Sequence, residues 1–145
     1  MRGALIYIFS FILLLLNARP SVGYDERHLN QVKTGKGCVK CDLSGSSLPA
    51  VSLEGSALAR TNFSRSNLQH ADFRSANLTK ANLRKSDLSS AKLSSANLQD
   101  ANLEKTILRS ANLRNANLKR AKLKQASLNR TNLAQANLTR ANLTE

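Results

Sequence analysis

Cys38 and Cys41 are the only cysteines of the chain and carry its most obvious covalent chemistry. A C-x-x-C spacing serves a disulfide, a dithiol redox centre or half of a metal site. The redox centre belongs in a strand–helix–strand setting, which the surrounding residues do not show. Zinc needs more ligands than this pair, and His28 alone does not complete a site. A disulfide asks for nothing further than an oxidising compartment. His28 and His70 fall in no catalytic spacing, and the abundant Ser residues form no G-x-S-x-G elbow. Asp42, Asp72 and Asp87 lie at multiples of five from one another, which marks them as members of a pattern rather than a pair of working carboxylates. No catalytic site, metal site or cofactor is predicted.

Charge is the other chemical signal. The 145 residues hold 22 Lys and Arg against 9 Asp and Glu, a formal net charge of +13. That excludes an acidic mimic of nucleic acid and leaves nucleic acid, membrane surfaces and other polyanions open as partners. Aromatic residues are only 4% and Trp is absent, so a core of bulky side chains is excluded too. These totals make a conventional enzyme a poor reading. One small domain is the natural reading of the length.

The first residues read as a leader. Arg2 precedes Ala4–Leu16, an almost wholly apolar run of 13 residues. A spanning helix needs about 20, so the run suits a signal-peptide core better than an anchor. Pro20 breaks any continuation, and Ser21 and Gly23 supply the small residues ahead of a cut before Tyr24; Ala18 is a second candidate. Residues 1–23 are therefore expected to be a signal peptide, and the protein to be exported to a periplasm, thylakoid lumen or extracellular space. No membrane span is expected after cleavage.

The elements that must position these groups follow from one repeat. Leu or Phe occupies every fifth position from Leu43 to Leu143, 21 sites in all, with Phe only at Phe63 and Phe73. With that position called i, residue i−2 is small throughout: 12 Ala, 4 Ser, 3 Thr, Cys41 and Val51. Residue i−1 is Asn in 11 repeats and Asp in three. On a helix, steps of five rotate by about 140° and leave no stripe. On a straight strand, five is odd and alternate leucines would point to opposite faces. The pattern closes only when a short extended piece is followed by a corner. Residues i−2 and i then point inward, i−1 points out, and i+1 with i+2 turn. Four sides make a square coil of twenty residues, and the series gives a little over five coils stacked about 4.8 Å apart. Leu78, Leu98 and Leu118 are then core, and Phe63 and Phe73 face each other across one layer.

The A-[ND]-L-x-x unit, plain in Ala76-Asn77-Leu78 and Ala96-Asn97-Leu98, resembles that of the pentapeptide repeat proteins, over Cys41–Glu145. The resemblance implies an all-β fold, a right-handed quadrilateral parallel β-helix with the small residue and Leu inside. The stretch ending G-C-x-x-C-D-L from Gly37 also resembles the N-terminus of many bacterial members. Residues 24–40 are expected to be a short helical cap over the 41–145 stack, with Asp25 as N-cap, Leu29 and Val32 as its apolar side and Gly35 as its stop. A Cys38–Cys41 disulfide would brace the junction. Nothing comparable follows Leu143, so the last coil either stays exposed or pairs with another chain. Resembling proteins form such dimers, which makes a homodimer through that coil an expectation.

Sorting repeats by position in the coil separates the charges. The sides of Leu58 and Phe63 hold 11 basic and 4 acidic residues, the other two 5 and 3. The basic edge comprises Arg60, Lys80, Arg120 and Arg140 beside Arg65, Lys85 and Lys105. The first functional reading is a non-enzymatic exported rod, structural or protein-binding, with an unidentified protein partner. The alternative is weak polyanion binding (nucleic acid, anionic glycan or lipid headgroup) through that edge. Gyrase-targeting members of the resembled family imitate DNA with acidic surfaces, and this chain has the opposite sign.

Overall fold

The computed structural model describes residues 23–144. The apolar run of the expected leader lies outside them.

Each repeat bends because its fourth and fifth residues are the centre of a tight turn. The carbonyl of residue i accepts from the amide three residues on, as from Ala81 to Leu78 at 3.0 Å and from Ala96 to Leu93 at 3.1 Å. Residue i+2 has positive φ in every repeat from Leu43 to Leu138, from Ala50 at 53° to Gly45 at 70°. One left-handed residue after an extended one is the signature of a type II turn. Pro49, at i+1, suits that geometry because its ring holds φ near −65°. No Val, Ile or Thr stands at any i+2 position, where a β-branched side chain would clash hardest.

Between corners, each side pairs in parallel with the side twenty residues later. The bridges run in files such as Asp42↔Asn62, Asn62↔Asn82, Asn82↔Asn102, Asn102↔Lys122 and Lys122↔Asn142. Three backbone bonds tie each such pair: Leu78 N to Asn97 O at 2.8 Å, Asn97 N to Ala76 O at 2.9 Å and Lys80 N to Gln99 O at 2.9 Å. The architecture is therefore a four-sided parallel β-solenoid, with bridges too short to count as extended strands.

The interior is filled. Leu43, Leu58, Leu78, Leu98 and Leu103 are fully buried, Leu118 nearly so, and the alanines at i−2 close the gaps beside them. Phe63 and Phe73 pack edge to face across one layer, ring centroids 5.9 Å apart and planes at 70°. Their neighbours Thr61 and Ala71 are small and fully buried. Buried hydroxyls are bonded: Ser66 Oγ donates to Leu43 O at 2.7 Å, Thr106 Oγ1 to Leu83 O at 2.7 Å, and Thr61 Oγ1 to the Cys38 carbonyl. No buried side-chain polar atom among the described residues lacks a partner.

Among the described residues a single helix, α1 (Glu26–Lys33), precedes the solenoid. Asp25 caps it, accepting from Arg27 N at 2.8 Å, and Glu26 and Lys33 complement its dipole at the two ends. Gly35, with φ +74°, ends it by donating to Val32 O at 3.0 Å. Leu29 and Val32 are buried in the same cluster as Cys38 and Leu43. Asp42 N donates to His28 Nδ1 at 3.2 Å, and Gln31 Nε2 to Gly37 O at 2.6 Å. Gly37 has a steric reason to be glycine, since a Cβ there would lie 2.6 Å from Ala57 O.

Candidate anion-binding face

The two cysteines are bonded to each other, their Cα atoms 5.5 Å apart, and both are buried. Cys38 occupies an inward Leu-type position and Cys41 the small position that follows it, so the bridge replaces a Leu–Ala contact. His28 is held by Asp42, and His70 is an exposed corner residue remote from it in the stack. No group of three His, Cys, Asp or Glu among the described residues is placed to hold a metal ion.

The i−1 residues do more than face outward, which sequence reading alone missed. Every Asn or Asp in that column accepts, through Oδ1, a hydrogen bond from the backbone amide two residues on. Examples are Ser64 to Asn62 at 3.2 Å, Gln99 to Asn97 at 3.1 Å and Glu104 to Asn102 at 3.0 Å. This Asx bond satisfies the amide of the first turn residue, which the ladder leaves free. Some amides also stack: Asn82 Nδ2 donates to Asn62 Oδ1 at 3.0 Å and Asn117 Nδ2 to Asn97 Oδ1 at 3.1 Å. The signal was present in the bias of that column, Asn or Asp in 14 of its 21 repeats, because outward exposure alone would accept any polar residue. Lys92 and Lys122 lack the bond. Replacing Asn there is therefore not as neutral as an outward-facing position suggests.

The corner residues form four files up the molecule. Arg60, Lys80, Arg120 and Arg140 share one file with Lys40 and Asp100; Arg65, Lys85 and Lys105 share the next with Gly45 and Gln125. All seven expected edge residues are exposed. The other two files carry one Arg, Arg130, among Ala, Gly, Ser, His, Asn and Gln. The two basic files bound a single side, whose middle column reads Asp42, Asn62, Asn82, Asn102, Lys122, Asn142.

Arg120 stands in its file but is committed elsewhere. Its Nε and Nη2 donate to the Asp100 carboxylate at 2.6 and 2.7 Å. That bidentate bond holds Asp100 down at about 2, against the opposing effect of burial. On the next corner Arg84 approaches Glu104 at 3.7 Å. Across the molecule Arg74 binds Asp72 at 2.8 Å and Glu54 at 2.7 Å, and its guanidinium keeps Asp72 below the ordinary carboxylate range. The remaining basic corner residues, Arg60, Arg65, Lys80, Lys85, Lys105 and Arg140, form no ion pair among the described residues.

The five-residue side of this four-sided solenoid is also the unit of a known sequence family. The model of the pentapeptide repeats matches residues 38–74, 57–94, 71–109, 86–125 and 116–145. The chain belongs to the pentapeptide repeat family. The fold of that family is the right-handed quadrilateral β-helix. Among solved pentapeptide repeat structures, Rfr23 of the cyanobacterium Cyanothece 51142 is similar at 30% identity and a TM-score of 0.66, over 81% of this chain and 97% of that one. A pentapeptide repeat protein of the Arabidopsis thaliana thylakoid lumen is similar at 33% identity and a TM-score of 0.55, over 68% of this chain and 65% of that one. No curated protein matches. Pentapeptide repeat proteins are generally structural or interaction proteins. No helix among the described residues is long and apolar enough to cross a membrane.

Proposed function

We propose that this pentapeptide repeat protein is a non-enzymatic, exported rod that works by presenting its sides to a protein partner. One observation carries the reading: the interior is packed with Leu, Phe and Ala from Leu43 to Leu123, so chemistry is left to the outward columns. Export rests on the leader-like residues 1–23, the buried disulfide and the lumenal origin of one similar structure. In this reading the mature chain begins at Tyr24, residues 24–40 cover the first of about five coils, and no cofactor is used. The last coil pairs with a second copy, because Leu143 is 48% exposed and the leucines before it are only half-buried. Intact mass of the exported protein tests processing and the disulfide together. A mature start at Tyr24 without free thiols supports the reading, and a retained leader counts against it. Cross-linking in the exported fraction should capture a protein partner or a dimer.

A second reading is binding of a polyanion through the basic edge. What favours it is the crowding of basic side chains without ion pairs among the described residues onto two adjacent corner files, while the other two files hold one, Arg130.

A further inference from the structure

Resting on that second reading, we infer that the side between the two basic files is a docking strip for a linear anionic polysaccharide lying parallel to the coil axis. The geometry supplies three arguments. Basic residues at successive coils recur about every 4.8 Å in a straight line, so Arg60 to Arg140 spans about 19 Å. An extended polyanion carries charge all along such a line. Duplex DNA winds its phosphates away, returning each strand to one side only once in about 34 Å. A straight file therefore meets few of them.

The surface between the files decides against the other candidates. Beyond Asp42 at the cap end, its middle column is amide side chains with Lys122, groups that hydrogen-bond sugar hydroxyls and carboxylates. It has no row of aromatic platforms on which single-stranded nucleic acid could stack, since Phe63 and Phe73 are fully buried and Tyr24, at the cap end, is packed against the core. It also lacks an apolar anchor for a membrane: among the described residues the exposed large apolar side chains are Val39, beside Lys40 at the cap end, Leu143 at the far end and Ile107 on another side, so no two lie together. The strip is narrow, three residues of extended chain or about 10 Å, which suits one chain lying between two rails of cations. The Asp100–Arg120 pair interrupts one rail. Contact therefore concentrates on Arg60, Lys80, Lys85 and Lys105, with Arg65 and Arg140 towards the ends.

The test compares two charge-matched variants of the full chain by calorimetry with a heparin oligosaccharide, a DNA duplex and phosphatidylglycerol-containing vesicles. One carries Arg60→Gln, Lys80→Gln, Lys85→Gln and Lys105→Gln; the other Lys92→Gln, Arg109→Gln, Arg114→Gln and Arg130→Gln. Gln is native at two corners, Gln125 and Gln135, so the corner variant should keep the fold. Expected is a loss of at least tenfold in heparin affinity for the corner variant and under threefold for the control, with wild-type binding weakening steeply as salt rises. Heparin should also shift the amide resonances of Asn82 and Asn102 in the wild-type protein but not that of Asn112, a readout that needs no variant. Equal losses in both variants, or shifts spread over all four sides, overturn the strip. Tighter binding of duplex or vesicles than of heparin, with the same corner dependence, overturns the polysaccharide but leaves the polyanion reading standing. No binding of any probe overturns both.

Discussion

Asn97 and Lys92 show how much one outward side chain contributes. Asn97 Oδ1 accepts from Gln99 N and from Asn117 Nδ2, whereas Lys92 occupies the same type of site without an equivalent bond. Lys92→Asn and Lys122→Asn should each stabilise the protein by about 0.5–1.5 kcal/mol, the net worth of one hydrogen bond. Asn97→Lys should cost a similar amount and still fold; chemical denaturation of the three variants measures this. The inward or outward sense of each position was legible in the spacing alone. The Asx bond was not, because it depends on where the turn aims a backbone amide. Titration acts at the same scale. Arg27 holds Asp25 at about 2, and Arg120 does the same for Asp100. A carboxylate depressed in the folded state contributes stability above its unfolded pKa of about 3.9 and loses it as pH falls towards the folded value. The melting temperature should therefore drop between about pH 4 and pH 2. The drop should be smaller in the Asp25→Asn, Asp100→Asn double variant, and an unchanged drop would show that these pairs do not drive it.

At the scale of elements, the turn is where residue type and conformation part company. Glycine occupies the left-handed corner only at Gly45 and Gly55 in the repeats, and Lys, Arg and Ser hold most of the rest. A reader of the sequence could place the corners by counting but could not read their φ from these residues. The stacked ladder overrides a local cost of about 1–2 kcal/mol per left-handed residue. Ser95, exposed with φ +59°, isolates that cost. Ser95→Gly should raise stability by up to about 1 kcal/mol and Ser95→Val should lower it by at least as much. Thermal melts that move the same way for both would contradict the turn geometry. Helix α1 was more legible, because Asp25, Leu29, Val32 and Gly35 each take the place their types prescribe. The disulfide adds little through chain entropy, since its loop spans a sequence separation of only 3. It acts mainly as packing beneath Leu29 and Val32.

For the whole molecule, each coil touches only its neighbours, so stability should vary along the axis rather than be shared evenly. The uninterrupted column of 21 inward residues made the solenoid legible from sequence, and the burial follows it through Leu123. Beyond that residue it weakens: Leu128, Leu133 and Leu138 are only partly buried, against the closed core at Leu98. The sequence hides this gradient, because the repeat itself does not change. Leu98→Ala removes a side chain enclosed on all sides and should cost about 2–5 kcal/mol. Leu98→Lys should unfold the stack outright, since its charge would be buried without a partner. Leu138→Ala loses less contact and leaves no closed cavity, so its cost should be under half that of Leu98→Ala. Hydrogen exchange should show the same order, slow at the amides of Leu78 to Leu103 and fast at Leu128 to Leu138, whose N–H groups make no backbone bond to a following coil among the described residues. Concentration separates the two states of that end. If a second copy covers the last coil, exchange at Leu128 and Leu133 should slow as protein concentration rises, and the Leu138→Ala deficit should grow with it. Concentration-independent exchange would mean that the last coil is exposed in solution and the rod acts as a monomer.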